Sequence, residues 1–321
     1  MQVTSRNILL DVLKIIGSIW IIAAHCQLFL DKNEIVYQIS TNGIFRVAVP
    51  FFFCVNGFFL VDVFQQNRIK TWVKRVGILY LVWMLIYSYF WLYLSDFNLL
   101  KIIPTFLFGF NHLWYLAALL LGGLLLYRLK NLSNTALLII AFTLYIIGLC
   151  IQYFGLFHVF ENIPLLDKVL NYPPSHRNFL FFTIPFLNIG YVIKRSNFHS
   201  KLKKQQVLLL LLASSLLLVI DSLINYHYLT HKVVPSMNLL LLFTAPLVLI
   251  TALRFKVTAK INSKNLSLYS IALYLVHPYI IFLIFNLIQL DPTALTILTI
   301  VLSILASYLL IQLNNKLKYL L

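Results

Sequence analysis

Long apolar stretches broken by short polar ones run through the whole chain. Runs near the ~20 residues that a helix needs to cross a bilayer fall at 7–30, 44–64, 73–95, 102–127, 134–156, 178–193, 206–226, 236–254, 267–289 and 293–315. The pattern predicts an all-α polytopic membrane protein, a single domain over 1–321 built as a bundle of about ten transmembrane helices. The run at 178–193 is the weakest, being short and interrupted by Pro185, and Pro104 with Gly109 moves the true start of the fourth run toward His112.

Loop charges orient the bundle. With the N-terminus in the cytoplasm, only Lys32, Arg46, Lys101, Lys168, Arg177 and Lys232 of the 25 Lys and Arg residues fall outside, where six of the nine acids also lie. Ten spans with both termini cytoplasmic therefore satisfy the positive-inside rule. A composition of 61% hydrophobic and 11% charged residues agrees. A net charge of +16 would suggest nucleic acid in a soluble protein. Here the basic residues sit in short loops between spans, so membrane lipids are the expected partner and nucleic acid is not. Cys26, Cys54 and Cys150 lie in apolar runs at unrelated spacings, which predicts packing and no disulfide framework or metal site. The first run is too long and polar for a cleaved signal peptide and is expected to stay in the protein.

That first run, RNILLDVLKIIGSIWIIAAHC from Arg6 to Cys26, carries the candidate chemistry. A charged side chain at mid-span costs about 2.5–3.5 kcal/mol even on lenient scales, so Lys14 and Asp11 need a reason to be there. Eleven residues separate Lys14 from His25, about 16 Å of rise and three turns plus about 20°, so both point the same way. Asp11 lies one turn before Lys14 on that stripe, close enough to pair with it. Other runs bring polar groups to the same outward half: Arg46 and Asn56 in the second, His112 and Trp114 in the fourth, Asp221 in the seventh, His277 in the ninth. Such a set would line a water-filled cavity.

Each member also has a plainer reading. His25 would be a packing histidine, Arg46 a headgroup contact, His112 and Trp114 interfacial residues, and Asp221 the buried partner of a base. On the inner face, Arg68, Lys70, Lys74 and Arg75 form a basic cluster. It would touch anionic lipids or dock a polyphosphate anion such as coenzyme A. The Leu156–Arg177 loop, with His158, Pro173, Pro174 and His176, would cap the outer face.

Together these residues resemble the acyltransferase-3 family of integral membrane acyltransferases, which often O-acetylate cell-surface carbohydrates. The resemblance covers nearly the whole chain. It rests on Arg6, Asp11, Lys14 and His25, with a basic residue eleven before histidine, and on VPFFFCVNGFFL, HLWYL and SIALYLVHP. The chain departs in having Asn56 where the family usually has serine before glycine, and no clean Arg-x-x-Arg after the second span.

The resemblance implies an acyl-CoA-dependent O-acetyltransferase, with acetyl-CoA as donor, no metal, and a surface glycan or its lipid-linked precursor as acceptor. The expected setting is the bacterial inner membrane. His25 would be the general base, Lys14 and Asp11 would orient the thioester end or hold the first helix in register, and Lys74, Arg75 and Arg68 would hold donor phosphates. Arg46, Asn56, His112, Trp114 and His277 would line the acceptor side. The extracytoplasmic esterase-like domain of larger relatives is not expected, so acetyl would pass directly from the bundle to the acceptor, or to a partner protein. The coenzyme's arm would then run past Lys14 toward His25, between the first two spans, beside Gly17 or Ser18. The rival reading is a transporter or flippase using the same polar residues as a path.

Overall fold

The computed structural model describes residues 7–229, 235–255, 257 and 263–321. Arg6, Lys232, Lys256 and Lys260, used above for the motif and the charge pattern, lie outside the described residues. The described chain is 81% helical and has no strands. Its principal helices are α1 (Ile8–His25), α2 (Ala48–Gln65), α3 (Ile69–Ile86), α4 (Ser88–Leu94), α5 (Leu99–Phe108), α6 (Trp114–Leu129), α7 (Asn134–Leu156), α8 (Pro164–Leu170), α9 (Ile184–Arg195), α10 (Lys204–Tyr228), α11 (Leu241–Arg254), α12 (Ser263–Leu287) and α13 (Pro292–Leu317).

Among the described residues, seven helical stretches are long and apolar enough to cross a membrane, or eight if α3 and α4, bent by 63° at their junction, count as one span. The protein is thus an integral, multi-pass helical membrane protein. Every one of the ten apolar runs is helical, but two fall below crossing length. The run at 236–254 yields the 14-residue α11, and that at 178–193 the 12-residue α9.

The weakness of the latter run has a physical cause. Every residue of α9 from Ile184 to Ile193 is buried, so this helix is surrounded by protein, and lipid does not set its length. Pro185 does not interrupt it. The proline stands in the first turn, where its missing N–H is no loss, and a π-helical turn, Phe179–Thr183, leads into it.

Contacts divide the chain into two compact units, Met1–Phe52 with Asn197–Lys316 and Leu321, and Phe53–Ser196 with Leu317–Leu320. The boundary falls inside α2. In the first unit α1 packs chiefly on α12, and α10 on α11 and on the π-helical turn Gln38–Gly43. Hydroxyls set the α1–α12 register. Ser18 Oγ donates to Ser270 O at 2.9 Å, and Ser270 Oγ to Lys14 O at 3.1 Å. Each helix thereby binds the other's backbone. Below this lock lies an apolar cluster of Ile22, Cys26, Leu273, Ile284 and Leu295.

In the second unit, α9 packs on α7 and α6 and meets α2 backbone to backbone. A Cβ at Gly57 would lie 2.1 Å from Leu187 O, and one at Gly190 would lie 2.0 Å from Cys54 O. Only glycine fits either position, the small-residue logic of tight helix crossings in membranes. An aromatic stack follows. The Phe53 and Tyr115 ring centroids are 4.5 Å apart, and Phe182 and Trp114 close edge-on at 5.9 Å.

Candidate functional site

The centre with the most definite chemistry lies in the first unit, where α1 ends against the middle of α12. His25 Nδ1 stands 3.0 Å from His277 Nε2. His277 is wholly buried, and its Nδ1 is 3.1 Å from Leu273 O, one turn earlier on α12.

Hydrogen-bond chemistry assigns the tautomers. A carbonyl can only accept, so His277 Nδ1 must donate to Leu273 O. A neutral His277 then has its lone pair on Nε2 and can only accept there. His25 Nδ1 is therefore the donor, and the lone pair of a neutral His25 is on Nε2. Leu273 O, His277 and His25 form a chain that fixes one ring by the next, as a base is oriented by a third group in nucleophilic and acid–base sites. His25 is exposed where His277 is not, so the basic nitrogen belongs to the accessible ring.

At the other end of α1, Lys14 Nζ lies 2.8 Å from Asp11 Oδ1, the pairing that the spacing suggests. Asp11 is 2% exposed and Lys14 14%. A buried carboxylate beside a lysine explains how α1 tolerates both charges. Lys14 stands about three turns from His25 along α1. Arg46 stands in a 3₁₀ turn, Ile44–Val47, with Nη2 3.5 Å from Asn42 Oδ1. Asn42 Nδ2 donates to Gln38 Oε1 at 2.7 Å. Gln38 and Ser222 then exchange two bonds with each other's backbone, 3.0 and 2.9 Å long. Asp221 accepts from the amides of Asn225 and Asn238, so amide donors satisfy it where a base was expected.

The second unit holds the remaining candidates. Asn56 Nδ2 donates to Tyr115 Oη at 2.9 Å, which ties the Asn-Gly step of α2 to the aromatic stack. His112 is buried edge-on against Tyr87, centroids 5.0 Å apart. Trp114 opens α6 and carries the Arg177 guanidinium 5.1 Å from its ring centroid. Arg68, Lys74 and Arg75 are all exposed. Beside them a groove of about 590 Å³ runs along α3 and α6 and offers Lys70 and Arg128 over an apolar floor of Ile69, Val73 and Leu124.

The packing bears on two expectations. The strip beside Gly17 and Ser18 is closed. A Cβ at Gly17 would meet the Phe52 ring at 3.2 Å, and Ser18 is fully buried in its lock with Ser270. As described, the strip leaves no channel for a coenzyme arm. His277, expected among acceptor contacts, is a hydrogen-bond partner of His25. Nothing in the spacing of either helix foretold that, because the two histidines are 252 residues apart.

The profile of the acyltransferase-3 family, described as an acyltransferase domain, matches residues 7–312. The chain belongs to the acyltransferase-3 family. Among curated relatives of this acyltransferase-3 protein is an amino-acid racemase of Enterococcus faecalis, 27% identical over 332 residues, covering 96% of this chain and 46% of the relative. A serine/alanine racemase of Enterococcus gallinarum is 28% identical over 296 residues, covering 86% of this chain and 41% of the relative. The acyltransferase-3 chain thus spans less than half the length of these relatives. No solved structure matches it. Membership gives the chain a membrane acyltransferase domain over nearly its whole length.

Proposed function

We propose that this membrane acyltransferase moves an acetyl group from acetyl-CoA to a hydroxyl of a cell-surface glycan or its lipid-linked precursor, in a bacterial inner membrane, with His25 as general base. The observation that carries the reading is the chain from Leu273 O through His277 to His25. It holds the accessible ring in the tautomer whose Nε2 can take a proton.

In the step proposed, Nε2 removes the proton of the acceptor hydroxyl as its oxygen attacks the thioester carbonyl. The carbon–sulfur bond breaks, and the proton passes from His25 to the departing thiolate, so acetyl ester and free thiol leave together. An imidazole, which can both accept and return a proton, suits both halves. His277 stays neutral and keeps its bond to His25 Nδ1–H when the ring becomes an imidazolium. The Asp11–Lys14 pair acts as a register device for α1. The donor's phosphates have two basic surfaces to choose from, the exposed Arg68, Lys74 and Arg75, or Lys70 and Arg128 in the groove; the groove adds an apolar floor.

A second reading is favoured by the relatives' names. They are called amino-acid racemases, and a membrane part serving them would carry an amino acid instead of transferring an acyl group. Purified protein in sealed proteoliposomes separates the two. Label moving from [14C]acetyl-CoA to a glycan acceptor supports transfer. Uptake of labelled serine without acetyl transfer supports transport.

A further inference from the structure

The segment between α7 and α9 is a built structure. Asn178 Oδ1 accepts from the N–H groups of Leu180 and Phe181, both at 2.9 Å, and its amide donates to Pro174 O at 3.0 Å. The N–H of Arg177 donates to Pro173 O at 2.8 Å. These bonds hold a Pro-Pro turn and set Arg177 against the start of α6. Beneath the turn is a pocket of about 270 Å³, at the small end for ligand sites, walled by Trp114, Tyr172, Pro173, Arg177 and Asn178 with Gly109 opposite. Gly109 has φ +87°, and a Cβ there would stand 2.6 Å from Trp114 N, so that wall also admits only glycine.

Arg177 is the unusual member. It is half-buried, and burial pushes its pKa down from the ordinary arginine value. Even so, a guanidinium keeps its proton in proteins. Its side-chain contact is the Trp114 ring, and the ion pairs among the described residues do not include it. Beside it, burial and then the charge of Arg177 hold the His176 pKa down at about 4, so His176 adds no charge at neutral pH. The pocket thus presents one desolvated positive fork on an aromatic wall, with no anion among the described residues paired to it.

We propose that this pocket binds an anionic saccharide, its carboxylate or phosphate on the Arg177 guanidinium and its ring against the aromatic and proline walls. A planar fork matches either oxyanion in a bidentate way, and the Trp114 ring bounds one side of it at 5.1 Å. The proposal rests on the acyltransferase reading only in calling this ligand the acceptor.

The test uses the full chain in nanodiscs, titrated with galacturonate, glucose 1-phosphate and neutral galactose, read by tryptophan fluorescence and ligand-observed NMR. At least one anion is expected to saturate where galactose does not. Galacturonate alone identifies a carboxylate ligand, and glucose 1-phosphate alone a phosphate. Arg177→Gln should raise the anion's Kd about tenfold or more, and Arg177→Lys should recover part of the loss. In the unsubstituted protein, added salt should weaken anion binding.

Galactose binding as tightly as the anions, anion binding unchanged by Arg177→Gln, or no binding by any of the three overturns the site. Arg177-dependent binding in a protein that transfers no acetyl removes the acyltransfer reading and leaves the site. Acetyl transfer with no such binding does the reverse.

Discussion

The two units solve the same packing problem by opposite means. In the first, helices meet through polar groups: Ser18 donates to the Ser270 carbonyl and Ser270 to that of Lys14, and His25 meets His277 at 3.0 Å. In the second, α2 and α9 meet through the absence of side chains at Gly57 and Gly190, with an aromatic stack around them. A hydrogen bond between membrane helices contributes about 1 kcal/mol and survives small shifts, whereas a backbone contact tolerates no added atom. The first unit can therefore carry exposed chemistry on adjustable contacts. The second is a rigid frame, and its candidate pocket lies at the edge.

The sharpest way to break this contrast is one small substitution at the helix contact of each region. Gly57→Ala or Gly190→Ala drives a Cβ into backbone and should cost about 3 kcal/mol or more, the top of the overpacking range. Size-exclusion profiles and thermal unfolding in detergent check this, and a normal melting curve for both variants would show that α2 and α9 do not touch as described. Ser18→Ala, which deletes one side of the polar lock, should cost only about 1 kcal/mol, a shift of a few degrees in the same unfolding experiment. Gly77, where an added Cβ would have nothing within 4 Å, is the control. Gly77→Ala should be neutral or stabilise by up to about 1 kcal/mol through helix propensity alone.

A smaller effect follows from His176 in the loop of the second unit. Its folded pKa of about 4 lies below the unfolded value of 6.5. The unfolded form therefore binds more protons between these values, and stability must fall as pH drops from about 6.5 to 4, then level off. Measured against the intrinsic amide rate, hydrogen-exchange protection in residues 171–178 should fall over that window, and His176→Asn should flatten the dependence. An unchanged slope in that variant would assign the acid sensitivity elsewhere.

How far the sequence could reach depended on whether partners share a helix. The Asp11–Lys14 pair was legible because both residues lie on α1, one turn apart. The start of α6 near His112 was legible because Pro104 and Gly109 break the run locally. His277 was visible as a polar residue, but its bond to His25 needs two helices in register, and that register comes from Ser18 and Ser270, which no pattern marks. Gly57 and Gly190 were equally silent, since a glycine declares its partner only when the partner's backbone is in view. The apparent weakness of the 178–193 run came from applying a bilayer's length requirement to α9, a helix enclosed by protein.

The central claim is that His277 acts on the reaction through His25. A double-mutant cycle on acetyl transfer in proteoliposomes tests it most directly, comparing His25→Ala, His277→Ala and the pair, with melting curves confirming that each variant is folded. Loss of the base should lower the rate by about 10² to 10⁴-fold. If the two rings work as one unit, His277→Ala should cost nothing further once His25 is gone, so the double variant should match His25→Ala alone. Losses that multiply, or near-normal transfer by folded His25→Ala, would contradict the account and return the pair to packing.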